Sequence, residues 1–292
     1  MLRQRVITAI VLLLILTATL WVEAAWPFLA LLGLACGCAA WEWLRLTLPE
    51  SGRGALAVAG GVVVCLICFA FTFAWVGPES TFGRGGIVQV IQLLVVGAAL
   101  VWLLAVVPAV VKGDAQAPAA NTPWSIFAFV ALLAAWFSLA AMFLQFPLWF
   151  VLSLLITVWI SDIAAYFVGR AVGKRKLAPR VSPGKTVAGA VAGVGGAMLW
   201  FAISGLFWAD SFAAGLIQYW GVIGTLIIGG LLGAISIVGD LFESLLKRRA
   251  GIKDSSQLLP GHGGVFDRID AILPVSVWAH TALMAGALWG AV

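Results

Sequence analysis

The segment from Gly239 to Asp270 holds five basic and five acidic side chains. Asp240, Glu243, Ser244, Lys247 and Arg248 follow one another at i, i+3, i+4, i+7 and i+8, so a helix carries them on one face. Past Gly251 come Lys253-Asp254, the run Pro260-Gly-His262-Gly-Gly264, and then Asp267 and Asp270, one helical turn apart. Carboxylates beside Lys and Arg suit a hard divalent cation together with a polyphosphate, because Mg2+ takes one or two carboxylates and shares phosphate oxygens with its substrate. A solvated amphipathic helix with pairs such as Glu243 and Lys247 is the plainer reading of the stripe. It leaves the glycine-rich loop and the second acid pair without a purpose. His262 is open to three roles: ligand, proton handling or loop hydrogen bonding.

Two further polar groups precede this one. In Trp159-Ile-Ser-Asp162-Ile-Ala-Ala-Tyr166, an ionisable residue stands inside an apolar run, which marks Asp162 as a functional candidate facing a bundle interior or a watery cavity. Solvation by headgroups, or pairing with Arg170, is the alternative. The second group runs from Arg170 through Lys174, Arg175, Lys176 and Arg180 to Ser182-Pro183-Gly184-Lys185-Thr186, six positive charges with no acid. Up to Arg180 this fits positive-inside bias or attraction to anionic lipid. Ser182 to Thr186 differs, since small residues and hydroxyls beside a Lys before a helix N-terminus can cradle phosphate. The G-x-x-x-x-G-K-[ST] spacing of a Walker loop is absent.

The elements that must position these groups are apolar almost throughout. Of 292 residues, 63% are hydrophobic and 10% charged, against about 25% charged in a soluble domain, and the mean hydropathy is +1.10. That excludes an ordinary soluble enzyme and leaves no stretch for a separate soluble domain. Nine apolar spans are expected, near 6 to 22, 25 to 41, 55 to 76, 87 to 111, 124 to 144, 148 to 168, 187 to 208, 216 to 238 and 272 to 290. Lipid-exposed backbone must satisfy its own polar groups, so the spans are helices and the fold class is an all-α polytopic bundle. The chain then reads as N-terminal helices over 1–144 for packing, lipid access and dimer contacts, and a catalytic region over 145–292, within one integrated unit.

The positive-inside rule orients the spans. Arg3, Arg5, Arg45, Arg53, Lys112 and both later basic groups fall on one side, taken as cytoplasmic with the N-terminus. Glu23, Glu79, Arg84 and Asp210 fall on the other. A signal peptide over residues 1 to 25 is the competing reading of the first span. Trp21, Trp26, Trp75, Trp124, Trp149, Trp208 and Trp220 lie near span ends and are expected as interfacial anchors. Cys36, Cys38, Cys65 and Cys68 lie within spans and are expected to pack, and glycine pairs such as 169/173, 189/193 and 229/233 allow close helix approach. His280 is expected as a packed or solvated residue.

The run Ser244-Leu-Leu-Lys247-Arg248-x4-Lys253-Asp254-x-Ser256-x2-Leu259-Pro260-x-His262-Gly263-Gly264-Val265-x-Asp267-Arg268-Ile269-Asp270 resembles the signature of the CDP-diacylglycerol synthases, or phosphatidate cytidylyltransferases. Trp159 to Tyr166 and Ser182-Pro183-x-Lys185-Thr186 are similar to that family's other two motifs, in the same order. Ala188 departs from the pattern, where family members often carry an acidic or amide residue. The resemblance implies that CTP and phosphatidic acid give CDP-diacylglycerol and pyrophosphate at the cytoplasmic face, and the short loops without an Arg/Ser-rich leader suit a bacterial plasma membrane. It also implies Mg2+, a monovalent cation such as K+ in a second site, and a homodimer among membrane lipids, with no nucleic-acid partner.

On that reading Asp240, Asp267 and Asp270 hold the metal, with Asp162 and Glu243 as further ligands. Lys185, Ser182 and Thr186 hold phosphate, with Ser244 and His262 beside the substrate. Lys247, Arg248, Lys253 and Arg268 neutralise charge on the triphosphate or the lipid phosphate. Three rivals are a CTP-dependent lipid kinase, which would move the γ-phosphoryl group, a structural or scaffold membrane protein, for which mixed charges at several span ends have no purpose, and a transporter. A transporter's binding residues should lie near the midplane in broken helices of two related halves, and no such repeat is visible.

Overall fold

In the computed structural model the chain is described over residues 2–22, 24–77 and 86–289. Glu23, Glu79 and Arg84 lie outside these residues. The helices are α1 (Leu2–Trp21), α2 (Trp26–Thr47), α3 (Ala55–Val76), α4 (Gly86–Val101), α5 (Val107–Lys112), α6 (Thr122–Gln145), α7 (Leu148–Val172), α8 (Val187–Phe207), α9 (Phe212–Arg249), α10 (Phe266–Ile269) and α11 (Ile272–Trp289). Each expected apolar span coincides with helix. Among the described residues seven helical segments are long and apolar enough to cross a membrane, and Ile10–Trp21 and Ile272–Leu288 are shorter apolar stretches. The protein is an all-α, multi-pass membrane protein.

Two local departures from a plain helix have visible causes. A π-helical turn, Trp102–Val106, joins α4 to α5, and Pro108 follows it. Proline has no N–H to give the preceding turn and crowds its carbonyl, so the turn widens. At Gly221 α9 is broken by a kink into two helical stretches, the glycine adopting φ 61 and ψ 178, a conformation open to glycine and strained for other residues.

The contacts group the chain into two compact units, each drawn from separate stretches. The first contains residues 1–94, 116–137 and 246–269. Here α2 packs on α3 so closely that a Cβ on Gly37 would lie 2.8 Å from the Cys65 Cβ. The four cysteines are free thiols, with Cys36 and Cys68 buried in this packing. Trp75 is a core residue instead of the expected anchor, 5% exposed and stacked on Trp136 at 5.7 Å, because its helix face is covered by α6. By contrast Trp21, Trp26 and Trp149 are exposed.

The second unit contains residues 95–115, 138–245 and 270–292. Its centre is the α7–α8 pair. A Cβ on Gly189 would lie 2.7 Å from the Ala165 carbonyl oxygen, and one on Gly193 would lie 3.0 Å from that of Ser161. Small residues at these positions allow the backbones to approach where apolar burial gives little drive. The turn between these helices is a hairpin of β1 (Lys176–Ala178) and β2 (Ser182–Thr186), antiparallel, with Lys176 opposite Thr186 and Ala178 opposite Ser182. Trp220 donates its indole N–H to the Ala282 carbonyl at 3.1 Å, joining α9 to α11.

Candidate active site

In the second unit the C-terminal part of α7, the hairpin and α9 enclose a cavity of about 620 Å3, within the size range of small-molecule sites. Asp162, Tyr166, Arg170, Lys185 and Asp240 are among its lining residues. Lys185 Nζ lies 2.6 Å from Asp240 Oδ2, with about a quarter of the lysine and a third of the aspartate side chain exposed. Ser244 Oγ lies 3.4 Å from Asp240 Oδ1 on the same helix. Arg170 donates to the Tyr166 hydroxyl at 3.0 Å, one turn away on α7.

Alternation along β2 explains the division of labour in the Ser182–Thr186 run. Lys185 faces the cavity and its ion pair. Thr186 is buried, caps α8, and accepts the Gly189 N–H at 3.1 Å. Its hydroxyl therefore organises the helix start. Gly184 is exposed, and an added methyl there would meet nothing within 4 Å, so its backbone is accessible to a ligand. Glu243 is 2% exposed. Asp270 Oδ1 accepts the Ala271 N–H at 2.8 Å, at the start of α11.

The first unit carries the other half of the signature. Lys247 Nζ lies 2.6 Å from Asp267 Oδ1, and the two side chains are only 14% and 6% exposed. The other oxygen of Asp267 accepts the Ser255 N–H at 3.0 Å, the Ser255 hydroxyl at 2.9 Å and the Gly264 N–H at 2.8 Å. Lys247 is thus joined to Asp267, twenty residues along the chain. Arg268 donates through Nε and Nη2 to the His262 carbonyl at 3.1 and 2.8 Å, while Arg248 and Lys253 are exposed. His262 Nδ1 is enclosed, with no hydrogen-bond partner among the described residues.

A family model described as the Cytidylyltransferase family matches residues 3–285. The chain belongs to this family. It is 37% identical over 295 residues to a phosphatidate cytidylyltransferase of Pseudomonas aeruginosa, covering all of both chains. It is 34% identical over 288 residues to one of Haemophilus influenzae, covering 93% of this chain and 95% of that one. A third, from Brucella suis, is 50% identical over 116 residues, 40% of each chain.

For a cytidylyltransferase the cavity has suitable parts: Lys176, Lys185 and Arg170 for phosphate, and two aspartates on its wall. No cluster of three or more His, Cys, Asp or Glu side chains poised for a metal occurs among the described residues. Mg2+ needs no such cage when substrate phosphates supply part of its shell, so Asp162 and Asp240 fit this ion in their number and chemistry.

Sequence reasoning missed Glu42. This α2 residue is 0% exposed and faces four donor groups of residues 255–266, one of them, the Ser255 hydroxyl, shared with Asp267. Oε1 takes the Ser256 hydroxyl at 2.5 Å and the Val265 N–H at 3.1 Å. Oε2 takes the Ser255 hydroxyl at 3.0 Å and the Phe266 N–H at 2.6 Å. The available signal was an acid between Trp41 and Trp43 at the edge of an apolar run, open to the same suspicion as Asp162.

Proposed function

We propose that this protein is a phosphatidate cytidylyltransferase, transferring CMP from CTP to phosphatidic acid to give CDP-diacylglycerol and pyrophosphate. The observation that carries the reading is the Lys185–Asp240 pair in a polar cavity with Asp162 and Arg170, in a chain that matches its full-length relatives from end to end. A phosphatidate oxygen attacks the α-phosphorus of CTP, forming one P–O bond while the bond to the β-phosphate oxygen breaks. The attacking phosphate is already ionised at neutral pH, so positioning and charge stabilisation take the place of a strong base. Lys185 and Arg170 bind phosphate oxygens in the cavity. Lys247, Arg248, Lys253 and Arg268 are the further cations proposed to meet the triphosphate or the lipid phosphate.

Asp162 and Asp240 would hold Mg2+, with Glu243, Asp267 and Asp270 as the other acids proposed for this reaction's cations, including a monovalent ion such as K+. When bound, Mg2+ offsets charge on the phosphates and on the departing pyrophosphate. A cavity of about 720 Å3 in the same unit has an aliphatic wall that includes Val110, Val191, Val194 and Leu241, with Lys112 and Arg180 beside it. It shares Leu177, Ala190 and Ile237 with the polar cavity, which supports seating an acyl chain next to the lipid phosphate. The clustering of cations at loops supports a cytoplasmic N-terminus and a cytoplasmic site in a bacterial plasma membrane, and a homodimer is part of the same proposal.

The test supplies detergent-purified protein with phosphatidic acid, Mg2+ and CTP labelled separately at the α- and γ-phosphates. Cytidylyl transfer puts the α-label in lipid and releases the γ-label as pyrophosphate. A γ-label in lipid would make the enzyme a kinase, and no transfer by folded protein would refute both.

A further inference from the structure

We propose that Glu42 is a positioning residue for this reaction, acting on substrate through the loop it holds; the inference rests on the cytidylyltransferase reading. An acid with no exposed surface on an apolar helix is costly unless its charge is met by donors. Here its donors come from one segment: the Ser256 hydroxyl, the N–H groups of Val265 and Phe266, and the Ser255 hydroxyl, whose single proton is shared with Asp267. No lysine or arginine pairs with Glu42 among the described residues. Apolar partners of the same shape would serve stability about as well, so the acid's distinctive effect is to fix where that segment stands. Trp43, the next residue, stacks on Phe266 at 4.8 Å and closes the same contact.

What Glu42 fixes is part of the proposed machinery. The Ser255 hydroxyl lies between Glu42 Oε2 at 3.0 Å and Asp267 Oδ2 at 2.9 Å, and Asp267 in turn holds the Lys247 ammonium at 2.6 Å. The line Glu42–Ser255–Asp267–Lys247 therefore leads from a membrane helix to a cation offered to phosphate. Glutamine cannot replace the acid, because each carboxylate oxygen faces a backbone N–H. Either amide orientation sets an NH2 group against a donor.

The experiment compares full-length Glu42→Gln with wild type by CTP turnover and by amide hydrogen exchange. We expect exchange over 255–266 to accelerate about tenfold or more, confined to that segment, and kcat to fall about tenfold or more with KM for CTP changed less than about threefold. Ser256→Ala, which removes one donor of four, should lose about twofold to threefold, and adding it to Glu42→Gln should cost nothing further. Wild-type kcat in Glu42→Gln would overturn the proposal, as would accelerated exchange spread along the whole chain. If Glu42→Gln does not accumulate, the Ser255→Ala, Ser256→Ala double variant carries the same expectation. Wild-type protein that transfers no label from CTP would fail the functional reading and this proposal with it, while the exchange measurement would still report whether Glu42 holds the loop.

Discussion

Asp267→Asn separates chemistry from scaffolding. The wild-type carboxylate accepts from Lys247 at 2.6 Å on one oxygen and from three donors of Ser255 and Gly264 on the other. Asparagine keeps the three neutral donors only by turning its own NH2 toward the Lys247 ammonium. The loss is a charged hydrogen bond of about 1.5–3 kcal/mol. With side chains 14% and 6% exposed, water offsets little of that loss, and breaking such a pair costs about 3–5 kcal/mol. If about 3 kcal/mol of that falls on the transition state, kcat/KM drops by about 100-fold. The assay is α-labelled CMP transfer to lipid, with a thermal unfolding curve for each variant. In the double variant Lys247→Met, Asp267→Asn no charge is stranded, so stability should recover relative to either single variant while turnover stays low. Turnover within threefold of wild type in Asp267→Asn, or restored in the double variant, would refute a chemical role for the pair. A Mg2+ dependence unchanged in Asp267→Asn would remove Asp267 from the metal-holding set.

Lys185→Met should lower kcat/KM for CTP by about tenfold or more, yet shift stability by no more than about 1 kcal/mol, because its pair with Asp240 is partly solvated. Steady-state kinetics beside a melting curve checks both halves. Gly173→Ala should destabilise the protein by about 1–3 kcal/mol, since its Cβ would overlap the Gly169 carbonyl oxygen and the Thr186 hydroxyl. Gly184→Ala, with open space around it, should melt like wild type, and a fall in its turnover would mean that phosphate approaches that backbone closely. Chelation of divalent ions should stop pyrophosphate release, with Mg2+ restoring it; turnover that persists after chelation would sink the metal assignment.

The helices were legible in the sequence because a span announces itself locally, by twenty or so apolar residues in succession. Their ends were less so. α9 starts at Phe212, ahead of the expected 216, and breaks at Gly221, where an apolar count gives no sign of a kink, while its charged turns to Arg249 follow the spacing of Asp240 to Arg248. The β1–β2 hairpin was invisible, since three- and five-residue strands leave no periodicity to count. Among the candidate residues, the sequence singled out Asp162, Lys185, Asp240, Lys247 and Asp267, but the pairings of the two lysines lie beyond any helical spacing. Lys185 meets Asp240 and Lys247 meets Asp267. Glu42 finds its donors more than 200 residues away, a distance over which spacing carries no information.

The two lysine–aspartate pairs give the resting protein a particular economy of charge. Each of these aspartates already has a resident counter-ion at 2.6 Å, so neither presents a bare anion to passing divalent ions. A polyphosphate that reached either lysine would have to draw the ammonium away from its carboxylate, so binding there would be a partner exchange in which the released acid faces whatever cation the nucleotide brings. Cytidine without phosphates has nothing to trade. Competitive inhibitors of this enzyme should therefore owe their affinity to mimicry of the phosphate chain far more than to the base.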